Sequence, residues 1–344
     1  MTSPVRTYLS ELHEIHAMGA GTEEISLYNP LQNLLNEIGR RLKPKVFCIQ
    51  NLKDLGAGFP DYGLYSANQL PKTEFGKLTP DIIAERGVIE AKAPREEVTA
   101  VAGTRQVGDY WERYGLVLVT NFRAFLIAGR DQFGRRENLE HFTLAETEDA
   151  FWALAARPSA LSEQMETRCE EFLTRVLLHQ APLSQPRDVA WFLASYARDC
   201  LARLEGHKGE LANLDLVRQS LEAALGITFE GPKGEHFFRS TLVQTLYYGL
   251  FSAWVLWCRQ TPDPEERKGF SAAGAAWHLR LPVLRGLFEQ INRPGALDPL
   301  LLHEVLEWAA GALRRIDDAA FFKRFREEHA VQYFYEPFLE AFDP

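Results

Sequence analysis

The chain has 344 residues, 46% of them hydrophobic and 25% charged, a globular balance sized for one large domain or two ordinary ones. Its formal net charge of −9 excludes a strongly basic nucleic-acid binder that grips phosphates with its own Lys and Arg. That charge leaves room for an enzyme whose acids hold metal. Cys48, Cys169, Cys200 and Cys258 follow no CxxC or Cys/His spacing, so they are expected to be reduced structural thiols of a cytoplasmic protein rather than zinc ligands.

Taken in chain order, the N-terminal "MTSPVRTYLSELHEIH" lacks a charged segment followed by an apolar run, so no signal peptide is expected. Helical spacing of apolar residues continues through "TEEISLYNPLQNLLNEIG", with Thr22 as an expected N-cap and Gly39 as an expected stop. The period then changes. "KVFCIQNL", "YGLYSA", "GVIEAKA", "LVLVTN" and "AFLIAG" are short runs separated by Gly, Pro and Asn, and they predict five strands. "TAVAGTRQVGDYWERYG", between the third and fourth, predicts one helix. The pattern is a small α/β domain with a mixed sheet.

Beyond residue 145 the strand signals nearly vanish. Segments such as "DVAWFLASYARDCLARLE", "EHFFRSTLVQTLYYGLFSAWVLWCRQ" and "LLLHEVLEWAAGALRRI" space apolar residues at i, i+3 and i+4, which predicts an all-helical second domain. The most apolar run, "TLVQTLYYGLFSAWVLWC", carries Gln244 and is flanked by charge, so it reads as a buried helix and not a membrane span.

The stretch "RGVIEAKAPRE", residues 86–96, carries the chemistry. Successive strand side chains alternate, so Glu90 and Lys92 share one face while Ile89, Ala91 and Ala93 line the other. Phosphodiester hydrolysis uses a divalent cation to polarise the phosphate and ready a water. Mg²⁺ prefers oxygen ligands and usually takes one or two protein carboxylates; a nearby lysine stabilises developing charge. An Asp, a Glu and a Lys must therefore converge, and an Asp at the start of an antiparallel neighbour would complete the set. Two aspartates, each after a proline, compete for that place. With Arg86-Gly87 as a two-residue turn, Glu85 pairs Val88, Ile83 pairs Glu90 and Asp81 pairs Lys92, which puts Asp81 on the required face. Asp61, in "GAGFPDYGLYSANQ", would need a loop of about twenty residues to reach Glu90. Geometry alone leans slightly to Asp81.

On these residues the chain resembles the PD-(D/E)xK nucleases. More narrowly, it resembles the N-terminal part of single-chain (type IIG/IIL-like) restriction–modification enzymes, which join a nuclease, a helical connector and an N6-adenine DNA methyltransferase. The matching stretches are "EISLYNPLQNLLNEIG", "NLKDLGAGFPDYGLYSANQ", "RGVIEAK", "TRQVGDYWERYGLVLVTNFRAFLIAG" and "AVQYFYEPFLEAFDP". The resemblance implies an α/β nuclease domain over residues 1–145, a mixed sheet flanked by helices. An all-α helical connector over 146–344 follows. It implies a Mg²⁺-dependent endonuclease on double-stranded DNA, with Mn²⁺ able to substitute, serving restriction–modification or phage defence. It also moves the metal aspartate to Asp61 in "GAGFPD", with Asp81 as the alternative. Asp61 and Glu90 would then hold the metal and Lys92 would position the attacking water. Glu24 matches a first-helix acid that helps organise metal. Gln106 and Tyr110 match a Q-x3-Y pattern four residues apart on one helix face, with Gln106 in an assisting role.

The departures are equally definite. Neither the cofactor loop nor the Asn/Asp-Pro-Pro-aromatic motif of the methyltransferase is present in these 344 residues. The expectation is a chain that stops short of that domain, with methyltransferase and target-recognition domains supplied in cis or by a partner chain. No membrane association is expected, and the resemblance admits transient dimerisation on DNA. The competing reading is a non-catalytic, nuclease-like DNA-binding or docking module of a DNA methyltransferase. There is no G-x-x-x-x-G-K-[ST] loop for ATP and no G-x-S-x-G elbow. His13 and His16 lie three apart on a helix and read as packing histidines. The "LYYGLFSAWVLW" stripe reads as core, and "GPKGEHFFRS" as a solvated turn opening a helix.

Overall fold

The computed structural model describes residues 3–19, 22, 24–69, 82–207, 212–291, 300–326 and 330–343. The chain divides into two units, Met1–Ala181 and Pro182–Pro344.

In the first unit the short β-branched runs assemble into a six-stranded sheet. Its strands are β1 (Val46–Gln50), β2 (Tyr62–Ser66), β3 (Val88–Ala91), β4 (Val117–Thr120), β5 (Ala124–Arg130) and β6 (Arg136–Thr143), side by side in chain order. All neighbours are antiparallel except β3 and β4. A parallel pair needs a crossover, here α3 (Val98–Ala102) and α4 (Arg105–Tyr114); two helices, α1 (Pro4–Met18) and α2 (Tyr28–Arg41), precede the sheet. The one helix expected over this crossover is two. Thr104 ends the first by donating from Oγ1 to the Val101 carbonyl at 2.7 Å, and caps the second by accepting from the Val107 N–H.

Strand β6 was not legible in the sequence. Its "RENLEHFT" has one β-branched residue, and its first three side chains are exposed, as suits the charged border of a sheet. The sheet buries both faces. One packs Tyr62, Ile89, Leu118 and Phe125 against α1 and α2; the other packs Val88, Val117 and Leu126 with Val107 and Tyr110 of α4. Helices α5 (Glu148–Ala155) and α6 (Glu163–Leu178) add Phe151, Phe172, Leu173 and Val176 to the first of these cores. The first unit therefore runs to Ala181, past the expected 145/146 boundary.

Two expected signals in α2 act differently. Thr22 lies outside the helix, whose N-cap is Leu27 after a short 3-10 turn. Gly39 does not stop α2, which continues to Arg41. A Cβ at Gly39 would collide with the carbonyl oxygen of Val46, so glycine is needed there for close approach of α2 to β1. Polar side chains complete that contact. The Cys48 N–H donates to Asn36 Oδ1 at 2.9 Å, and its carbonyl accepts from Gln32 Nε2 at 2.9 Å and Asn36 Nδ2 at 3.1 Å.

A buried ion pair joins α6 to β6: Arg175 Nε donates to Glu140 Oε2 at 3.0 Å, with the two side chains 1% and 3% exposed. Removing one member of such a pair strands its partner away from water, at a cost of about 3–5 kcal/mol. Arg175→Met is expected to lower unfolding stability by that amount in urea titrations. Adding Glu140→Gln to it is expected to recover part of the loss.

The second unit is helical among its described residues: α7 (Pro186–Gly206), α8 (Ala212–Leu225), α9 (Gly231–Gln260), α10 (Pro264–Arg267), α11 (Pro282–Ile291), α12 (Leu302–Arg314), α13 (Asp318–Phe322) and α14 (Glu336–Phe342). Its axis is the 30-residue α9. Tyr247 and Trp254 of the aromatic stripe are buried, and Phe251 stacks on Phe334 at 3.6 Å, so the stripe is core. The "GPKG" segment forms the first turn of α9. All four cysteines are free and buried. Among the described residues, no helix is long and apolar enough to cross a membrane.

Candidate active site

The site forms where β2 and β3 meet. Tyr62 pairs with Ile89 and Gly63 with Val88, so Asp61, the residue before β2, arrives beside Glu90. Its Oδ2 accepts from the Ala91 N–H at 2.8 Å, and its Oδ1 accepts from the Tyr28 hydroxyl at 2.7 Å. Residues before it form a closed loop. The Asn51 N–H donates to the Asp61 carbonyl at 2.8 Å, and Asp54 Oδ1 accepts from the N–H groups of Gly56 and Gly58 at 2.8 and 2.9 Å. Positive φ values of 97° at Gly56 and 102° at Gly58 are conformations only glycine adopts cheaply.

The hairpin register that favoured Asp81 does not form. Strand β3 takes β2 as its antiparallel partner, the Leu64 carbonyl accepts from Arg86 N–H at 3.1 Å, and Leu64 N–H donates to Gly87 at 2.9 Å. The Ile83 carbonyl, which was to face Glu90, accepts from Gln69 Nε2 at 2.7 Å. Gly87 closes a turn centred one residue earlier, on Glu85-Arg86, its N–H donating to the Ala84 carbonyl at 3.2 Å; with φ of 103° and no room for a Cβ against the Leu116 carbonyl, it is also a close-approach residue. Asp81 itself lies outside the described residues.

Glu90 and Lys92 share a face as expected, while Ile89 and Ala91 are buried on the other. Lys92 Nζ donates to Glu90 Oε1 at 2.5 Å and to the Ala91 carbonyl at 3.1 Å. Glu90 is 1% exposed. Burial pushes its carboxyl up to about 7; the Lys92 hydrogen bond opposes this, and the nearby charges of Asp61 and Glu24 add to it. Burial pulls Lys92 down, but the Glu90 bond and the surrounding carboxylates outweigh it and raise the ammonium above its ordinary value.

Glu24 joins the cluster through Tyr28, whose hydroxyl lies 3.0 Å from Glu24 Oε1 as well as 2.7 Å from Asp61. Gln106 is exposed and donates from Nε2 to the Tyr110 hydroxyl at 2.9 Å. Tyr110 is buried within the fields of Glu90, Asp61 and Lys92, although burial is the main cause of its raised phenol. Tyr28 is the site residue that sequence reasoning missed. Its signal was the i, i+4 spacing to Glu24, the same spacing noticed at Gln106 and Tyr110. His16 stacks flat on Trp152 at 3.7 Å, a packing role.

Three carboxylates thus surround one ammonium. Glu90 Oε2 is buried and has no hydrogen-bond partner among the described residues. A buried orphan oxygen among excess negative charge fits a divalent cation. Among the described residues, no group of three His, Cys, Asp or Glu side chains forms a ready metal cage. The carboxylates that could hold such an ion are Asp61 and Glu90, and two suffice for Mg²⁺, which keeps several waters.

No family model and no curated protein matches the chain. Among solved structures it is similar to the cryo-EM structure of the DrdV–DNA complex, at TM-score 0.30 and 16% identity. The match covers 99% of this chain and 29% of that one. At that score the likeness is too slight to define a family.

Proposed function

We propose that the first unit is a metal-dependent DNA endonuclease of the PD-(D/E)xK type, serving a restriction–modification or phage-defence enzyme. The observation that carries this reading is the meeting of Asp61, Glu90 and Lys92 at adjacent strand ends, with Glu90 Oε2 buried and unpaired. A structural ion pair needs only Glu90 and Lys92. The further convergence of Asp61 adds repulsion that costs stability unless a cation is to be held there. The choice of DNA as substrate rests on the motif resemblance.

Asp61 and Glu90 would hold Mg²⁺ or Mn²⁺. When bound, the ion supplies Lewis-acid polarisation of a phosphate oxygen and acidifies a water. The chain's own residues set the rest. The Ala91 N–H and the Tyr28 hydroxyl fix the Asp61 carboxylate. Lys92, held by Glu90 and the Ala91 carbonyl, keeps its proton and presents an ammonium to the reacting phosphate, where it orients the attacking water and offsets developing negative charge. Gln106, anchored on Tyr110, offers an amide at the rim for a phosphate oxygen.

The test is nicking of supercoiled plasmid at low salt with Mg²⁺ or Mn²⁺, alongside calorimetric titration of Mn²⁺ into the free protein. Metal-dependent nicking is the expected result. No nicking together with no Mn²⁺ binding overturns the reading, and cleavage of single-stranded RNA in preference to DNA overturns the substrate assignment.

A further inference from the structure

From the geometry around Asp61 we infer that Tyr28 is a positioning residue for the metal site, its hydroxyl fixing the Asp61 carboxylate and tying Glu24 to it. The inference rests on the metal-site reading above and deepens it.

Tyr28 sits at the first position of α2 and is 6% exposed. Its ring lies 5.2 Å from that of Tyr62 and 6.4 Å from that of Phe122. Its carbonyl accepts from the Tyr62 hydroxyl at 3.0 Å. Tyr8, on α1, donates to the Phe122 carbonyl at 2.8 Å. The ring is therefore immobilised by neighbours that are themselves hydrogen-bonded, and a locked ring aims its hydroxyl in one direction.

That hydroxyl meets two carboxylates, Asp61 at 2.7 Å and Glu24 at 3.0 Å. A phenol has a single proton to donate. The shorter contact assigns it to Asp61 Oδ1, and with the Ala91 N–H on Oδ2 both Asp61 oxygens are oriented by fixed donors. The second lone pair of each oxygen stays open for a cation. The Glu24 oxygen against the phenol oxygen is then left without a proton of its own. It would then be free to accept from a water carried by a bound ion. Partners of this kind, one bond removed from the metal, change metal affinity by about 10–100-fold when removed.

Tyr28→Phe keeps the ring, its packing and its backbone bond to Tyr62, and deletes only the hydroxyl. Tyr114→Phe is the control, because it deletes a buried phenol in the core on the opposite face of the sheet, away from Tyr28 and the residues that hold it. Calorimetric titration of Mn²⁺ and Mg²⁺ into the wild type and both variants, with thermal melting in parallel, reads the difference. The expected result is a Kd about 10–100-fold weaker for Tyr28→Phe and within about twofold of wild type for Tyr114→Phe, at similar melting temperatures. Equal affinity in Tyr28→Phe and wild type overturns the inference, and so does an equal loss in both variants, which would mark general loosening. A wild type that binds neither metal overturns the nuclease reading and takes this inference with it, so the two failures are told apart by the wild-type titration.

Discussion

Lys92→Ala is expected to cut metal-dependent plasmid nicking by about 10²–10⁴-fold, the range for losing a positioned group that stabilises or transfers charge in a transition state. The fold should survive. The Lys92 side chain is 30% exposed and stands beyond the last residue of β3, while its backbone N–H, which the substitution keeps, donates to the Thr120 carbonyl at 2.8 Å. The variant nonetheless changes Glu90, which loses the one ammonium bonded to it. Its carboxyl then rises further and accepts a proton more readily. Lys92→Met separates these effects from lost packing, because it keeps most of the apolar stem. Far-UV circular dichroism should match wild type for both variants. Activity retained within about threefold in both would remove Lys92 from the mechanism, since a group of this kind is worth far more.

Asp61→Ala is expected to abolish both nicking and Mn²⁺ binding, with Asp81→Ala close to wild type in both. The contrast follows from position. Asp61 supplies one of the two carboxylates that would hold the ion, and nothing else in the cluster can replace it at the β2–β3 junction. The substitution also leaves the Ala91 N–H and the Tyr28 hydroxyl without their acceptor, which costs about 1–3 kcal/mol for each group that stays buried and unmet. A modest fall in melting temperature should accompany the lost binding. Asp61→Asn is the sharper variant. Its amide keeps one acceptor but presents N–H groups to the second of two fixed donors, so it should lose affinity without opening a cavity. Loss of nicking in Asp81→Ala and its retention in Asp61→Ala would reverse the assignment of the two aspartates.

Much of this site was legible because its residues follow a strand period. Glu90 and Lys92 share a face by alternation alone, and apolar Ile89 and Ala91 mark the other face as core. That Asp61 stands beside Glu90 was not legible by the same reasoning, because local turn chemistry competes with a long-range pairing. Arg86-Gly87 looks like a tight turn, yet Gly87 is glycine to let β3 pass the Leu116 carbonyl. Gly39 misled in the same way, since close approach and helix termination select the same residue type. Strand β6 escaped because a charged border strand carries neither β-branched runs nor alternation. The extent of the first unit escaped because α5 and α6 read as helices like those that follow. Only their burial with Phe125 and Phe142 reveals which core they complete. Tyr28 stayed hidden because an aromatic at a helix start reads as packing, and its hydroxyl matters only once the partner strand is placed.

The amides that α2 sends to Cys48 bear on how copies of this protein could meet. Strand β1 is a border of the sheet, and a border normally exposes N–H and C=O groups that template an incoming strand. Here both Cys48 groups are already engaged by Asn36 and Gln32, and Gln50 is held over the same helix by Asn29 and Gln32 at 3.0 and 2.9 Å. The border is plugged from within its own fold. A second copy therefore cannot lengthen the sheet at β1 without first stripping out these amides, which protects the domain from runaway strand addition. Contact between copies at this border is left to side-chain surfaces, where it can be brief and reversible.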